Sequence, residues 1–241
     1  MIAVAGVVYL VPNLLGVVPP AAVLPQGTID ITRRLRHFVV ENAKPARQFL
    51  KAIGGDVPIA SLDLQQIPER ADDAAVRALL GPARDGNDLG VISDAGCPGI
   101  ADPGAALVAA AHRDGLRVVP LVGPSSVLLA LMASGMNGQQ FAFDGYLPVD
   151  PEQRARRLRM IDENIARTST THLFIETPYR NDAMLNAILA CCRAATQVCV
   201  AVDLTLPTEW VRSAPAAAWK RHPAPTLQRR PAIFLLGQAA A

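Results

Sequence analysis

The stretch LGVISDAGCPGIADPGAALVAAAHRD, residues 89–114, contains a strand, a loop and a helix from which the fold can be predicted. Its apolar first part, Leu89–Ser93, predicts a buried strand, and Ala105–Asp114 predicts a helix that ends at Gly115. Between them, Ser93–Gly104 contains three glycines, two prolines and two aspartates. A loop of this kind is more elaborate than a simple connection requires. Because it follows a strand in an α/β pattern, we expect it to bind a ligand.

Strands and helices alternate on both sides of this loop, which is the pattern of βαβ units with a parallel sheet. The apolar run Val4–Val11 predicts a first strand buried on both faces, and Pro12–Gly27 predicts a long loop. The other elements predicted for the first half are helix Ile31–Arg36, strand His37–Val40, helices Ala43–Ile53 and Ala71–Leu80, strand Arg117–Val122 and helix Ser125–Ser134.

The second half repeats this alternation with different spacing, so we place a domain boundary near Gly123. The prediction is an α/β fold of two α/β domains, residues 1–123 and 124–241. The elements predicted for the second half are strand Phe141–Phe143, helix Pro151–Thr168, strand Thr171–Ile175, helix Asn181–Cys192 capped by Asn181, and strands Gln197–Asp203, Trp210–Arg212 and Ala232–Leu236.

The composition excludes several classes of protein. Of the 241 residues 51% are hydrophobic and 18% are charged, which excludes an intrinsically disordered chain. The net charge of +2 neither indicates nor excludes nucleic-acid binding. The four cysteines lack the spacing of a zinc site, so we expect reduced thiols and no metal. No charge precedes Asp30 and Ile2–Val11 is too short to span a bilayer, so we expect a cytoplasmic protein without membrane contact.

Three further segments place polar residues directly after apolar strands, where parallel α/β proteins bind their ligands. They are VPLVGPSS (Val119–Ser126), FIETPYR (Phe174–Arg180) and AVDLTLPTE (Ala201–Glu209). The glycines of Ser93–Gly104 lack the spacing of dinucleotide-binding and P-loop motifs, and no GxSxG elbow occurs in the chain. The sequence therefore does not predict an ordinary nucleotide-binding protein or an α/β-hydrolase.

These motifs resemble those of the tetrapyrrole methylase superfamily, the class III S-adenosylmethionine (SAM) methyltransferases. The nearest branch contains the ribosomal RNA small-subunit methyltransferase I enzymes, in which a strand precedes Ser-Asp-Ala-Gly-Thr-Pro and then Asp-Pro-Gly. Here Ser93–Pro98 and Asp102–Gly104 match those runs, with Cys97 in place of threonine. Val118–Ser126 is similar to the family's Val-Val-Pro-Leu-Pro-Gly-Pro-Ser run, and the resemblance covers nearly the whole chain.

The resemblance implies a methyltransferase with SAM as cofactor, bound in a cleft between two α/β domains, and a homodimer. It also implies an RNA acceptor, with ribose 2′-O-methylation of ribosomal RNA as the nearest example, so RNA or a ribosomal subunit is an expected partner. A methylase of a tetrapyrrole or another small molecule, a diphthine synthase and a non-catalytic SAM-binding module stay open as alternatives. Carried over position by position, the cofactor-binding residues are Pro12, Asp94, Ala95, Gly96, Ile100, Ser125, Ser126, Thr177, Leu204, Pro231 and Ala232.

Glu41, Glu176 and Arg180 are the candidate catalytic residues, as a general base or as contacts to the substrate. A positioned carboxylate can take the proton of a hydroxyl acceptor. The same residues also suit structural roles, because Glu176 and Arg180 have the spacing of a helical ion pair. Asp102 and Ser126 are similarly suited to capping the helices that follow them.

Two segments depart from the family pattern. The ribosomal branch has Glu-Asp-Thr-Arg where this chain has ENAK (Glu41–Lys44), and Thr-Pro-Ile-Gly-Asn where this chain has Val11–Gly16. We expect both segments to face the substrate, so the resemblance supports SAM as cofactor more strongly than ribosomal RNA as acceptor. The helix Pro151–Thr168 carries five arginines that can contact phosphates, although its acidic residues also suit a solvent-exposed face.

Overall fold

The computed structural model describes residues 5–55, 57–68, 70, 72–222 and 224–239. The chain divides into two compact units, Met1–Ser125 and Ser126–Ala241. The division lies shortly after Gly123, where the sequence predicts a boundary. Within the described ranges, no helix is both long and apolar enough to cross a membrane.

The first unit is built on a parallel sheet. Its strands are β1 Val7–Val11, β2 His37–Val40, β3 Asp63–Gln66, β4 Leu89–Ile92 and β5 Arg117–Pro120. Its helices are α1 Gln26–Arg34, α2 Ala43–Ile53, α3 Asp73–Ala78, α4 Gly81–Arg84 and α5 Ala105–Arg113, and short 3-10 turns occupy Pro20–Ala22 and Ile59–Ser61. The strand order in the described residues is β3-β2-β4-β1-β5, and helices lie in the connections, as parallel pairing requires.

Both faces of this sheet are covered, which explains why its central strands are apolar throughout. On one face, Val8, Val39 and Val91 pack in a cluster that includes residues of α3 and α5. On the other face, Phe38 and Ile92 pack in a second cluster with residues of α1 and α2. The parallel strands are thus held with all their carboxyl ends at one edge of the sheet.

The second unit contains a mixed sheet. Its strands are β6 Phe141–Tyr146, β7 Thr171–Ile175, β8 Gln197–Val202, β9 Trp210–Pro215 and β10 Ala232–Gly237, and its helices are α6 Ser126–Ser134, α7 Pro151–Thr168, α8 Asn181–Cys191 and α9 Ala216–Arg221. The strand order in the described residues is β6-β7-β10-β8-β9. β6 and β7 are parallel, whereas β10 is antiparallel to both β7 and β8, and β9 is antiparallel to β8.

The core of the second unit lies between this sheet and its helices. Phe174 of β7 and Phe234 of β10 stack with their ring centroids 5.9 Å apart. Leu158 and Ile161 of α7 and Ile188 of α8 are buried in the same apolar cluster. This packing fixes β7, β10 and β8 side by side, and the polar segments that flank them are fixed with them.

Helix α1 begins at Gln26 rather than at the predicted Ile31. Its first turns bury Thr28 and Thr32, whose hydroxyls donate to the carbonyls of Val122 and Thr28 at 2.8 and 2.7 Å. Because threonines satisfied in this way occupy the buried face, the apolar periodicity that marks a helix is absent from this part of the sequence.

Three elements were not predicted from the sequence, namely β3, α4 and α9. β3 is an edge strand with the polar sequence DLQQ, and α4 begins with Gly81–Pro82, a pair that is typical of a helix end. The cap predicted at Asn181 is wrong, because the N-cap of α8 is Arg180. Asn181 is buried and its Nδ2 donates instead to the carbonyls of Leu227 and Arg230 at 3.3 and 2.7 Å.

Candidate functional site

The carboxyl ends of the strands in the first unit bring several predicted segments to one edge. Val11 of β1 and Val40 of β2 both pair with Ile92 of β4, so the residues that follow these strands are neighbours. The Glu41 backbone N–H donates to the Ile92 carbonyl at 3.1 Å and continues the pairing beyond the strands. Pro12 and Glu41 therefore lie at the same edge as the loop that follows β4.

Asn13 joins the first loop to the loop after β4. Its backbone N–H donates to the Gly96 carbonyl at 2.8 Å, and the Gly96 N–H donates to the Asn13 carbonyl at 3.2 Å. Its buried side-chain amide donates to the carbonyls of Ser93 and Asp94 at 2.9 and 3.0 Å. No sequence motif singles out Asn13, because its partner Ser93 lies 80 residues away in the chain.

Gly96 has a backbone conformation that favours glycine. Its φ is +70°, in the left-handed region, and a Cβ atom there would lie 3.4 Å from Leu15 Cδ2. Cys97, which replaces the family's threonine, donates from Sγ to the Pro124 carbonyl at 3.6 Å, and burial raises the pKa of its thiol. The loop after β4 therefore contacts both the loop after β1 and the Gly-Pro turn after β5.

Asp94 is held on two sides and leaves one carboxylate oxygen without a partner. Asn42 Nδ2 donates to Asp94 Oδ2 at 2.7 Å, and the Asp94 backbone N–H donates to Glu41 Oε2 at 3.0 Å. Asp94 Oδ1 is buried, and no hydrogen-bond partner approaches it among the described residues. An orphaned carboxylate oxygen of this kind favours a ligand that brings an N–H or O–H donor.

Asp102 lies in the same loop and does not cap the next helix, because α5 has Gly104 as its N-cap. Burial raises the pKa of Asp102 to about 6, and the negative charges of Glu41 and Asp94 add to the effect. A hydrogen bond from Ser93 acts in the opposite direction. Asp102 also lines a cavity of about 240 Å³ together with apolar side chains of α3 and α5.

Replacing Asp102 with asparagine should change how stability depends on pH. The folded-state pKa of about 6 lies above the ordinary value of 3.8, so the folded chain keeps a proton that the unfolded chain releases. The resulting stabilisation is present below the ordinary value and is lost as the pH rises through about 6. We expect the difference between the free energy of unfolding of Asp102→Asn and that of the natural chain, both measured in urea, to increase from acidic to neutral pH. If this difference were the same at acidic and at neutral pH, the raised pKa assigned to Asp102 would be contradicted.

The other cofactor candidates of the first half of the chain, with Ser126 just beyond it, differ in their exposure and position. Ala95 is exposed, and 48% of Ile100 is exposed. Ser125 is the last residue of the first unit, and Ser126 is the first residue of α6. Their assignment to the cofactor stays a prediction.

In the second unit, the candidates of three strands also lie at one edge of the sheet. Ile233 of β10 pairs with Ile175 of β7, and Ala232 pairs with Val202 of β8. Since β10 runs antiparallel to both neighbours, its first residues lie beside the carboxyl ends of β7 and β8. The structure therefore brings four predicted residues to the same edge: Thr177, Leu204, Pro231 and Ala232.

Asp203 fixes the segment that follows β8. Its φ is +51°, its backbone N–H donates to the Pro231 carbonyl at 3.0 Å, and its Oδ2 accepts from Arg230 Nε at 2.9 Å. Thr208 Oγ1 donates to the same oxygen at 2.8 Å. Thr205 Oγ1 is buried without a partner among the described residues and is a second atom that a ligand can satisfy. Asp203 lies within the segment AVDLTLPTE that the sequence singles out, but only Leu204 of that segment was predicted as a site residue.

Glu176 and Arg180 form an ion pair at the end of β7. Arg180 Nε and Nη2 donate to Glu176 Oε1 at 3.0 and 2.6 Å, and the Thr177 N–H donates to the same oxygen at 2.6 Å. Glu176 is buried, and its Oε2 has no partner in the described part of the chain. The structural role that the sequence left open for this pair is thus present. Of the predicted catalytic residues, Glu41 lies apart from this pair along the chain, at Asp94 in the first unit.

A family model described as Tetrapyrrole (Corrin/Porphyrin) Methylases matches residues 30–218. The chain belongs to this family. It is accordingly a methyltransferase that uses SAM as its cofactor, as the resemblance of its motifs implies. The crystal structure of the methyltransferase CobJ covers 98% of this chain and 95% of its own, with a TM-score of 0.64 and 20% sequence identity. The cobalt precorrin-4 methyltransferase CbiF matches with a TM-score of 0.61 over 96% of this chain and 94% of its own, at 13% identity. These two likenesses confirm the predicted α/β fold of the family.

Curated relatives are named ribosomal RNA small subunit methyltransferase I. The protein from Vibrio cholerae is 29% identical over 88% of this chain and 70% of its own length. The protein from Escherichia coli O157:H7 is 28% identical over 90% of this chain and 73% of its own length. A protein from Mesorhizobium japonicum is 36% identical over 60% of this chain and 48% of its own length.

Each of the two sheet edges, taken separately, carries groups that can bind part of SAM. The ammonium and ribose hydroxyls of SAM are donors, and Asp94 Oδ1 and Thr205 Oγ1 are buried oxygens that lack partners among the described residues. Gly96 allows the backbone after β4 to take its left-handed conformation beside Asp94. Asp94 Oδ1 is therefore a suitable acceptor for one of these donors.

Proposed function

We propose that the chain methylates RNA, with a ribose 2′-hydroxyl of ribosomal RNA as the acceptor. The observation that carries the proposal is the match to relatives named as ribosomal RNA methyltransferases along 88–90% of the chain. The geometry of Glu176 supports a hydroxyl acceptor, because its buried carboxylate has one oxygen fixed and the other without a partner among the described residues.

Each residue then has a role that follows from its surroundings. Asp94 Oδ1 accepts a hydrogen bond from the cofactor, and the Gly96 backbone lies against it. The bound cofactor supplies an electrophilic methyl group on its sulfonium. Glu176 takes the proton of the acceptor hydroxyl, and Arg180 holds the carboxylate in place; such a base typically contributes ~10²–10⁴-fold. The cofactor candidates of the second unit are Thr177, Leu204, Pro231 and Ala232, of which the last two would contact adenine largely through backbone groups.

The proposal is tested by methyl transfer from tritiated SAM. The full chain is incubated with small ribosomal subunits from cells that lack it, with total RNA, and with a small-molecule extract. We expect label in ribosomal RNA, within a dinucleotide that resists alkaline cleavage, because a 2′-O-methyl group blocks the attack of the ribose hydroxyl on the phosphate.

Three outcomes would favour the alternatives. Label confined to the small-molecule extract would show a methylase of a tetrapyrrole or similar acceptor, the class to which the solved relatives belong by name. Binding of S-adenosylhomocysteine (SAH) without label in any fraction would indicate a non-catalytic SAM-binding module. Label in protein would indicate an acceptor of the diphthine type.

We also propose that the chain acts as a homodimer in the cytoplasm. Helix α6, with the sequence SVLLALMAS, is apolar on all sides, and its Met132 is 79% exposed. A helix that is apolar all round is normally buried, and a second copy of the chain would cover it. Free thiols at Cys97, Cys191, Cys192 and Cys199 support a reducing compartment.

Replacing Met132 with aspartate should weaken this association. We expect the molar mass from light scattering to fall from that of a dimer toward that of a monomer, because a charge would be buried at the contact. The matched control is Val17→Asp, since Val17 is 98% exposed in a loop of the first unit. A natural chain that is monomeric at every concentration would refute the homodimer.

A further inference from the structure

Asn42 lies two residues after the end of β2 and contacts the candidate cofactor loop. Its Nδ2 donates to Asp94 Oδ2 at 2.7 Å, and its Oδ1 accepts from Gln66 Nε2 at 3.4 Å. The backbone of Asp94 is held as well, because its N–H donates to Glu41 Oε2 at 3.0 Å. Glu41 and Asn42 together therefore fix both the backbone and the side chain of Asp94.

Carboxylates dominate the surroundings of Asp94. Glu41 approaches from the end of β2 and Asp102 from the same loop, and the pKa of Asp102 is raised by burial and by the charges of the other two. Asn13 and Gln66, which belong to the ends of β1 and β3, contribute neutral groups. In the described ranges, no lysine, arginine or histidine forms an ion pair with these carboxylates.

We propose that Asn42 is a positioning residue of the cofactor site. Its amide holds the Asp94 carboxylate in one orientation and leaves Oδ1 for a donor of the cofactor. The proposal rests on the proposed function, in which Asp94 binds SAM. It also changes the interpretation of the departure at Glu41–Lys44, which the sequence predicts to face the substrate.

The uncharged amide is what makes this arrangement stable. An aspartate at position 42, the residue of the ribosomal branch, would bring a carboxylate oxygen to within 2.7 Å of Asp94 Oδ2. Two carboxylates at that distance cannot both be ionised without a shared proton or a neighbouring cation. The amide therefore satisfies Asp94 without a proton and without a cation.

The test is calorimetric titration of SAH into the full chain and its Asn42→Asp variant, at about pH 5.5 and about pH 8. We expect the variant to bind about tenfold more weakly than the natural chain at the higher pH, because one carboxylate must be protonated or displaced. At the lower pH the ratio of the two dissociation constants should return to within about threefold, because a proton can be shared. A merely structural defect would weaken binding equally at both pH values.

Asn87→Asp is the matched control. Asn87 is exposed and precedes β4, at the opposite edge of the same sheet, so the same chemical change should leave SAH affinity within about threefold at both pH values. If Asn42→Asp does not fold, the Asn42→Ala variant tests the positioning role instead. It should weaken SAH binding about fivefold at both pH values, because Asp94 Oδ2 loses its hydrogen-bond donor.

Equal ratios at the two pH values for Asn42→Asp, or unchanged affinity in Asn42→Ala, would overturn the positioning role while leaving the proposed function intact. Failure of the natural chain to bind SAH would overturn both. Methyl transfer to a different acceptor with normal SAH binding would overturn the proposed function alone.

Discussion

Replacing Gly96 with valine should abolish SAH binding, with a loss of about 100-fold or more in affinity. A branched side chain at φ +70° costs of order 1–3 kcal/mol in backbone strain, and its Cβ would start 3.4 Å from Leu15 Cδ2. The backbone strain and the close contact with Leu15 can be relieved only if the backbone moves where Gly96 and Asn13 exchange two hydrogen bonds. Movement there displaces the loop that carries Asp94. Calorimetry with SAH on the folded variant measures the effect.

Gly135→Val is the control for backbone strain alone. Gly135 has nearly the same φ, +69°, but no heavy atom lies within 4 Å of a Cβ built there. We expect this variant to lose a similar amount of stability and to keep its affinity for SAH. Unchanged SAH affinity in a folded Gly96→Val variant would remove Gly96 from the cofactor site.

The loop after β4 can be predicted from sequence because the features that identify it are adjacent in the chain. An apolar strand, a run of glycines and prolines, and a helix follow one another, and parallel topology places such a loop at the ligand-binding edge. Asn13 and Asn42 could not be predicted in the same way. Each acts on Asp94, which lies 81 residues from the first and 52 from the second. Only the pairing of β1 and β2 with β4 brings these residues together.

The second unit shows the same limit at the level of backbone conformation. The ion pair of Glu176 and Arg180 is foreseeable from their spacing of four residues. The left-handed conformations of Asp203 and Thr205 are not, because neither is a glycine and both are stabilised by contacts with residues further along the chain, such as Arg230 and Glu209. The edge strand β3 could not be predicted for a related reason, because its sequence DLQQ contains a single apolar residue and therefore shows no alternation of apolar and polar residues.

Replacing Glu176 with glutamine should lower kcat for RNA methylation by about 100-fold or more, within the range that general-base catalysis contributes. The glutamine carbonyl can still accept from Arg180 and from the Thr177 N–H, so the fold at the end of β7 is preserved. Its amide cannot take a proton from the acceptor hydroxyl. SAH affinity should therefore stay within about threefold of that of the natural chain, while single-turnover transfer from tritiated SAM becomes slow.

Glu209→Gln separates this effect from a general loss of negative charge in the second unit. Glu209 is exposed and accepts from the Thr205 N–H at 2.7 Å, a contact that the glutamine carbonyl also preserves. Its variant should transfer methyl groups at nearly the natural rate. If Glu176→Gln did so as well, Glu176 would serve only to hold Arg180, and the proton of the acceptor would have to leave by another group. Because Oε1 is held by Arg180 and Oε2 has no partner in the described chain, the role proposed for Oε2 predicts the loss of rate.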